Sequence, residues 1–551
     1  MDNKSRGKTM IINASEYGIK PNKENGKELS ALFKKLAETE DEKTVVFEAG
    51  EYLVDAENCD TEMLYITNTA GDNEYKSSET PHKANVLFNL KNVQDLKIEG
   101  NGARFVIRGK VTNAAIQSCE NIEINDIEID YDNPDLHELK VVHIGKHYVD
   151  FEVDENSTYE FRRGKFYFVG PGYATNVLKE YRVAWHLSRV REEDINTIER
   201  TRNIVSTAFK IKDLGNRKIR IYYFKPFGFK MGDRYCFFGR RRQYAGIFAD
   251  KTKNLILNNV AQRFNYSLAV VFQDTENITL NGLDFSPAKG RLMTSAADFL
   301  QICMCRGKVS ITNSKFEGAC DDCLNVHGVH FKITKVEKNT IIVKFMHKQS
   351  HGYNPIRAND EIAFIDAKSL LEKGTASVVS SKLISETELE IQLDSAENAV
   401  VGDVIEDVTA CPELEFKNNT VNRIATRAVL ITNRPKTVVE GNHFNSNSMS
   451  GISISDDAQS WFESGMCKDV VIKDNVFEYC GATPILIVPE NKVHNGAVHS
   501  NIKILNNTFK KYDGTCIAIK STENIEIKGN TFNSEDILKT TDCTNIDTDF
   551  I

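Results

Sequence analysis

KTVVEGNHF (436–444), KDVVIKDNVF (468–477), NIKILNNTF (501–509) and NIEIKGNTF (524–532) are four copies of one phrase, and their spacing decides the fold. Each alternates apolar and polar residues with period two, then reaches an Asn or Gly that tolerates a left-handed turn. Weaker copies are NIEINDIEI (121–129), NLILNNV (254–260), NITLNGLDF (277–285), KVSITNSKF (308–316) and LEFKNNTV (414–421). The Asn that closes the phrase stands at 419, 442, 475, 507 and 530, in steps of 23, 33, 32 and 23 residues. A step of that size is one coil of three short strands, and the longer steps add a loop. Stacked coils put Ile on Ile, Phe on Phe and Asn on Asn, so each covers its neighbour's edge. The reading is an all-β chain wound as a right-handed parallel β-helix. No LxxLxL or GH…WD pattern supports a leucine-rich or propeller array.

Outward from these repeats, EYGIKPNKENGKELSALFKKLAE (16–38) predicts a turn and an amphipathic helix with Leu29, Leu32, Phe33 and Leu36 on one stripe. One strand, TVVFEAGEYLV (44–54), follows. This start resembles the N-terminal cap of pectin-lyase-like helices, which hides the open first coil. Two stretches break the coil pattern. HYVDFEV (147–153), RRGKFYFVG (162–170), KIRIYYF (218–224) and GDRYCFF (232–238) form one series; NTIIVKF (339–345), RANDEIAFID (357–366), ELEIQLD (388–394) and GDVIEDV (402–408) form the other. Both end in a Gly-Asp turn before a strand, which predicts two related small antiparallel β-barrel domains inserted between coils. The expected organisation is a cap with first strands (1–60), first coils (61–134), barrel one (135–242), coils with the candidate catalytic residues (243–328), barrel two (329–410) and C-terminal coils (411–551). The insertions are placed to wall a groove or to join subunits of a homo-oligomer.

Composition agrees with an elongated repeat. At 551 residues, 41% hydrophobic and 27% charged, the chain is too large for one ordinary core and too apolar for disorder. A formal charge of −9 argues against nucleic acid or an anionic membrane as partner. No run of about 18 apolar residues is present to span a bilayer. MDNKSRGKTMIINASEYG lacks the apolar centre of a secretory leader, which fits a cytoplasmic protein if Met1 is native and a secreted or periplasmic one if a leader was removed. The 12 Cys, scattered over a long chain, read as buried thiols rather than a disulfide scaffold.

The densest polar cluster is GRLMTSAADFLQICMCRGKVSITNSKFEGACDDCLNVHG (290–328). Asp298 precedes Asp321 and Asp322 by 23 and 24 residues, about one coil, so the three carboxylates should stack on one face at a coil spacing of about 4.8 Å. Crowded carboxylates repel, raising one pKa while another stays ionised, which is what a general acid and a general base need. A turn Asp and a solvated Asp-Asp loop are the plainer reading, and the coil register, with Asn325 and His327 close behind, argues against it. Adjacent Asp residues in a regular strand face opposite ways, so both reach one groove only if the chain bends. Cys303, Cys305, Cys320 and Cys323 have zinc-like spacing, yet buried Cys also fills narrow coils; no metal is expected. Arg427, Asp456, Asp457, Trp461 and Glu463 make a second polar group on later coils, an Arg and an aromatic ring beside carboxylates being a way to hold a sugar. His347 and His351 could border the groove or lie at the surface.

GRLMTSAADFLQICMCRGKV, CDDCLNVHG, HKQSHGY and DDAQSWFESGMCKDVVIKDNVF resemble the matching stretches of glycoside hydrolase family 110, the α-1,3-galactosidases that remove terminal galactose from blood-group-B-type glycans. The resemblance spans about residues 10 to 535 and departs from the usual pattern at the Cys residues of CDDCLN. It implies a β-helix with two barrel-like insertions, exo-action on an oligosaccharide or glycoconjugate carrying terminal α-galactose, inversion, and no cofactor. By that resemblance Asp298, Asp321 and Asp322 fall on the catalytic carboxylates and carbohydrate contacts on residues around His327, Arg427, Trp461 and Glu463; the clusters themselves add Asn325 and Asp456 to the candidate substrate contacts. Analogy with pectin-cleaving hydrolases makes Asp321 the acid, with Asp298 and Asp322 holding the water. Two alternatives stay open: a polygalacturonase-like glycosidase, against which the missing Arg-x-Lys clamp after CDDCLNVHG counts, and a non-enzymatic glycan-binding β-helix.

Overall fold

The structure is a computed structural model, and it describes residues 10–69, 82–180, 187–190, 198–201, 203–226, 228–238, 242 and 244–550. Part of the amino-terminal stretch read above for a leader therefore lies outside the described residues. The repeat phrase forms coils of three short strands. In one coil Ile247–Asp250, Lys253–Asn258 and Ala261–Gln262 follow one another before the chain climbs to Val270–Gln273. Ile247 pairs in parallel with Val270, Leu255 with Ile278, and Ala261 with Asp284. Repeated along the chain, these pairings build long parallel sheets around one continuous apolar interior.

Stacking of like on like is visible side chain by side chain. Asn419 Nδ2 donates to Asn442 Oδ1 at 3.1 Å, Asn442 to Asn475 at 2.9 Å, Asn475 to Asn507 at 3.0 Å and Asn507 to Asn530 at 3.0 Å. The residue before each ladder Asn takes the left-handed conformation: Asn418, Gly441, Asp474, Asn506 and Gly529 have φ between 54° and 69°. Short polar residues and Gly bear that conformation at low cost, which is why the phrase ends as it does. Phe444, Phe477, Phe509 and Phe532 stack at centroid distances of 5.2, 5.0 and 5.0 Å inside the same coils.

The cap helix runs Gly26–Ala37 with Leu29, Leu32, Phe33 and Leu36 buried, and Phe33 packs on Phe88 at 5.1 Å. The single strand expected over 44–54 is two, Lys43–Val46 and Gly50–Asp55. Both pair with the long strand Gln94–Arg108, on either side of a register shift between Glu99 and Ala103. The chain turns a coil corner there, which the apolar alternation does not record.

Both insertions are antiparallel. The second closes into a six-stranded barrel from Phe331–Glu337 to Val404–Asp407. The first pairs as a seven-stranded and a three-stranded sheet over a shared core of Leu139, Val149, Phe151, Phe168 and Phe237, without ring closure among the described residues. Arg306 of the helix fastens the barrel by donating to both oxygens of Asp360 at 2.8 Å, while Arg357 of the barrel reaches back to Asp274 at 2.6 Å.

Candidate active site

Asp298, Asp322 and Arg427 each stand two residues before strands that pair in register, Leu300 with Leu324 and Leu324 with Val429. They therefore occupy one position on three successive coils. Asp321 lies in the bend between Lys315–Ala319 and Leu324–Val329. Outside a strand the two-fold alternation lapses, so Asp321 and Asp322 both reach the same cavity. That cavity, of about 620 Å³, is also lined by Asn68, Arg242, Asn325, Lys348, Thr426, Trp461 and Glu463, among others. Its size is in the range of small-molecule sites.

The three carboxylates differ in their surroundings. Asp322 is buried and accepts from Thr426 Oγ1 at 2.5 Å, Arg427 N at 3.1 Å, Arg427 Nε at 3.0 Å and Arg427 Nη2 at 2.6 Å. That bidentate fork fixes its plane. Asp321 accepts from Arg242 Nη2 at 2.8 Å and is the most open of the trio, its side chain 18% exposed against 5% for Asp298 and 2% for Asp322. Asp298 is buried; loss of solvation pushes its carboxyl well above the usual range, the charge of Asp321 adds to this, and Arg242 opposes it. The same Arg242 nitrogen stands 3.6 Å from Asp298 Oδ1.

Asn325 projects from Leu324–Val329 and donates to Glu463 Oε1 at 3.0 Å. Glu463 arrives on a short strand antiparallel to Gly328–Val329. His327 stands behind it rather than at the main cavity: Nδ1 donates to Gly328 O at 2.6 Å, Nε2 accepts from Gln301 at 2.5 Å, and Glu463 lies 3.8 Å away. Trp461, 47% exposed, lines the cavity and stacks on His347 of the barrel at 4.4 Å. Burial holds the His347 imidazole down to about 4, with Arg242 and Lys348 adding to the shift.

Asp456 requires a correction. Its side chain is buried away from the cavity, 3.7 Å from His330 Nδ1, and desolvation, followed by the charge of Glu406, pushes its pKa well up. Asp457 lines the cavity in its place and organises the Trp461 loop, accepting from the backbone N–H groups of Gln459, Ser460, Trp461 and Phe462. Burial pushes its carboxyl up, but those bonds and the Ser460 hydroxyl outweigh it and hold it low. Neighbouring residues face opposite ways here, so of the two aspartates named from the sequence Asp457 lines the cavity and Asp456 does not.

The cysteines divide between two cores. Cys305, Cys320 and Cys323 face the coil interior, while Cys303 packs with the barrel, its Sγ 3.6 Å from Tyr353 Oη. Among the described residues no three His, Cys, Asp or Glu side chains converge on a metal position. The sequence reading missed Arg242, which closes the run Arg240-Arg241-Arg242 where the chain returns from the first insertion; that run is the one signal it leaves. Thr426 and Asn68 carry no such signal.

Residues 340–405 match the GLAA-B beta-barrel domain II, and residues 406–532 match the right handed beta helix region. Alpha-1,3-galactosidase A of Bacteroides thetaiotaomicron is 32% identical over 548 residues, covering 96% of this chain and 92% of that protein. Alpha-1,3-galactosidase A of Akkermansia muciniphila is 30% identical over 468 residues, covering 83% and 77%. Among solved structures, the A-module of a mannuronan C-5 epimerase from Azotobacter vinelandii aligns at 10% identity and a TM-score of 0.37, over 98% of this chain and 100% of that one. At 32% identity over nearly its whole length, the chain belongs to the alpha-1,3-galactosidase family, glycoside hydrolase family 110, to which its Asp298 and Asp321-Asp322 motifs pointed.

Proposed function

We propose that the protein is an exo-acting, inverting glycoside hydrolase that releases terminal α-1,3-linked galactose from blood-group-B-type or linear α-galactosyl glycans. The observation that carries this reading is the stack of Asp298 and Asp322 on neighbouring coils with Asp321 in the bend beside them, all lining one cavity. The names of the relatives supply the substrate class.

Inversion needs one carboxylic acid at the glycosidic oxygen and one carboxylate holding a water on the opposite side of the anomeric carbon. Asp321, the most open of the three, is the group a leaving oxygen can approach, and it delivers the proton. Asp298 takes the proton of the attacking water, and Asp322, locked by Arg427, orients that water. The proton balance closes: Asp321 ends ionised and Asp298 protonated. Trp461 and Asn325 offer an apolar face and an amide to the sugar, and Glu463 adds an acceptor.

Incubation with the branched B trisaccharide and with linear Gal-α-1,3-Gal, quantifying free galactose, tests the substrate. Release of galactose from at least one is expected. Turnover of polygalacturonic acid with none of a chromogenic α-galactoside would favour the polygalacturonase reading instead. Asp298→Asn, Asp321→Asn and Asp322→Asn should each lower kcat/KM by orders of magnitude. Undiminished glycan binding with no sugar released by the wild-type protein would make it a lectin-like β-helix.

A further inference from the structure

The surroundings of the two carboxyls favour the opposite proton position from the one the reaction needs at its start. The acid, Asp321, is bonded to a guanidinium, and the base, Asp298, sits where burial favours its neutral form. That is the distribution left after one turnover. Arg242 stabilises it, from the connection between Arg234–Phe238 of the first insertion and Ile247–Asp250 of the helix. Its Nη1 is anchored on Asn68 O at 3.1 Å, and its Nη2 faces both Asp321 and Asp298. The side chain is only 16% exposed, so its charge acts on the pair with little screening by solvent.

Resting on the reading of this cavity as the hydrolytic site, we propose that Arg242 is a positioning residue: it pairs with Asp321 in the free enzyme and yields that place to the entering sugar. Withdrawal of the cation lets the one proton of the pair pass from Asp298 to Asp321, which is then the acid. The proton moves within the pair, and nothing else is gained or lost. The other charged and titratable groups around the pair enter from separate elements. Asp322 and Arg427 come from the coils and are bonded to each other; His347 and Lys348 come from the barrel loop; Glu463 comes from the Trp461 loop. Arg427 is committed to Asp322 by three hydrogen bonds, while Arg242 is bonded to Asp321, which also stands 3.5 Å from Thr426 Oγ1. Through Arg242 the first insertion would take part in proton transfer.

The sign of the effect follows from charge. A cation beside two carboxyls lowers the pKa values of both, so its removal raises them. In Arg242→Gln both limbs of the kcat/KM profile, which reports the free enzyme, should move up by at least about one pH unit. Arg242→Lys, which keeps the charge but cannot hold Asn68 O and Asp321 with two separate nitrogens, should keep the limbs within about half a unit of wild type while lowering the rate. Lower rate in both variants with unmoved limbs would mean a purely structural role and would overturn the proposal.

Infrared titration of the carboxyl C=O band gives a readout independent of substrate. Wild type should show near neutral pH a protonated-acid band that Asp298→Asn removes. In Arg242→Gln an additional share of that band should be removable by Asp321→Asn. If the bands redistribute but no α-galactoside is cleaved, the proposed substrate is wrong and the coupling through Arg242 stands. If the band in Arg242→Gln responds to substitution as in wild type, the coupling is wrong whatever the substrate.

Discussion

Replacing Asn475 by Ala should remove a load on the β-helix far larger than its single carboxamide suggests. The side chain is buried and makes four hydrogen bonds: Oδ1 accepts from Asn442 N and Asn442 Nδ2, both at 2.9 Å, and Nδ2 donates to Val439 O at 2.9 Å and Asn507 Oδ1 at 3.0 Å. Truncation leaves the Asn442 N–H in the coil interior without a partner and strips the Val439 carbonyl of its side-chain bond. An orphaned buried group costs about 1 to 3 kcal/mol, and a satisfied bond is worth about 1 kcal/mol net, so a loss of about 3 to 5 kcal/mol is expected. Asn524→Ala is the matched control. Asn524 also donates to the Asn of the preceding coil, Asn501, at 3.3 Å and accepts from Asn545 at 3.1 Å, but at the exposed surface; its left-handed φ of 56°, which Ala bears at a cost of about 1 to 2 kcal/mol, should account for most of the loss there. Calorimetric unfolding of both variants gives the comparison, and amide exchange across 436–532 locates the damage. Equal midpoints for the two variants would refute the claim that the buried Asn ladder holds these coils together.

Glu138 carries a stability prediction. It accepts from Leu292 N at 2.6 Å and is buried, and desolvation raises its carboxyl from 4.5 to about 7. Its stabilising contribution is present below about pH 4.5 and is lost as pH rises through about 7, a span worth about 3 kcal/mol. Glu138→Gln should therefore match wild type near pH 4 and exceed it at pH 8 in thermal unfolding; identical pH dependence in both proteins would count against the argument. Asp456→Asn swaps a buried acid for its neutral isostere and should leave kcat/KM within about twofold. Asp457→Asn removes the anion that gathers four backbone N–H groups, so KM should rise by about tenfold as the Trp461 loop loosens; the reverse order in substrate titrations would restore Asp456 to the cavity.

What the sequence revealed depended on whether the information was local and periodic. The Asn-x-Phe phrase records a contact with the next coil in every copy, so the helix, its ladder and its Phe stack could be read from spacing. Asp298 and Asp322 were legible for the same reason, one coil apart on one column. Asp321 shared their site only because a bend interrupts the strand, which spacing alone leaves open. Where a single step of parity decides, as between Asp456 and Asp457, alternation outside a regular strand carried no reliable phase. Arg242 was missed because its carboxylate partners lie more than fifty residues further along the chain, on coils reached only after the return from an insertion, and the basic run it closes does not point to them. Ring closure is likewise a matter of distant pairing. The strand series of the two insertions look alike, yet the second closes and the first pairs as two sheets among the described residues.

The account stands most directly on the stereochemistry of the sugar first released. Proton NMR of a fresh digest of an α-1,3-galactoside, recorded before mutarotation, should show the β anomer of galactose, since a water held by Asp298 and Asp322 attacks opposite the bond that Asp321 protonates. First-formed α-galactose would mean a covalent intermediate and retention, and would contradict the water-holding roles given to Asp298 and Asp322.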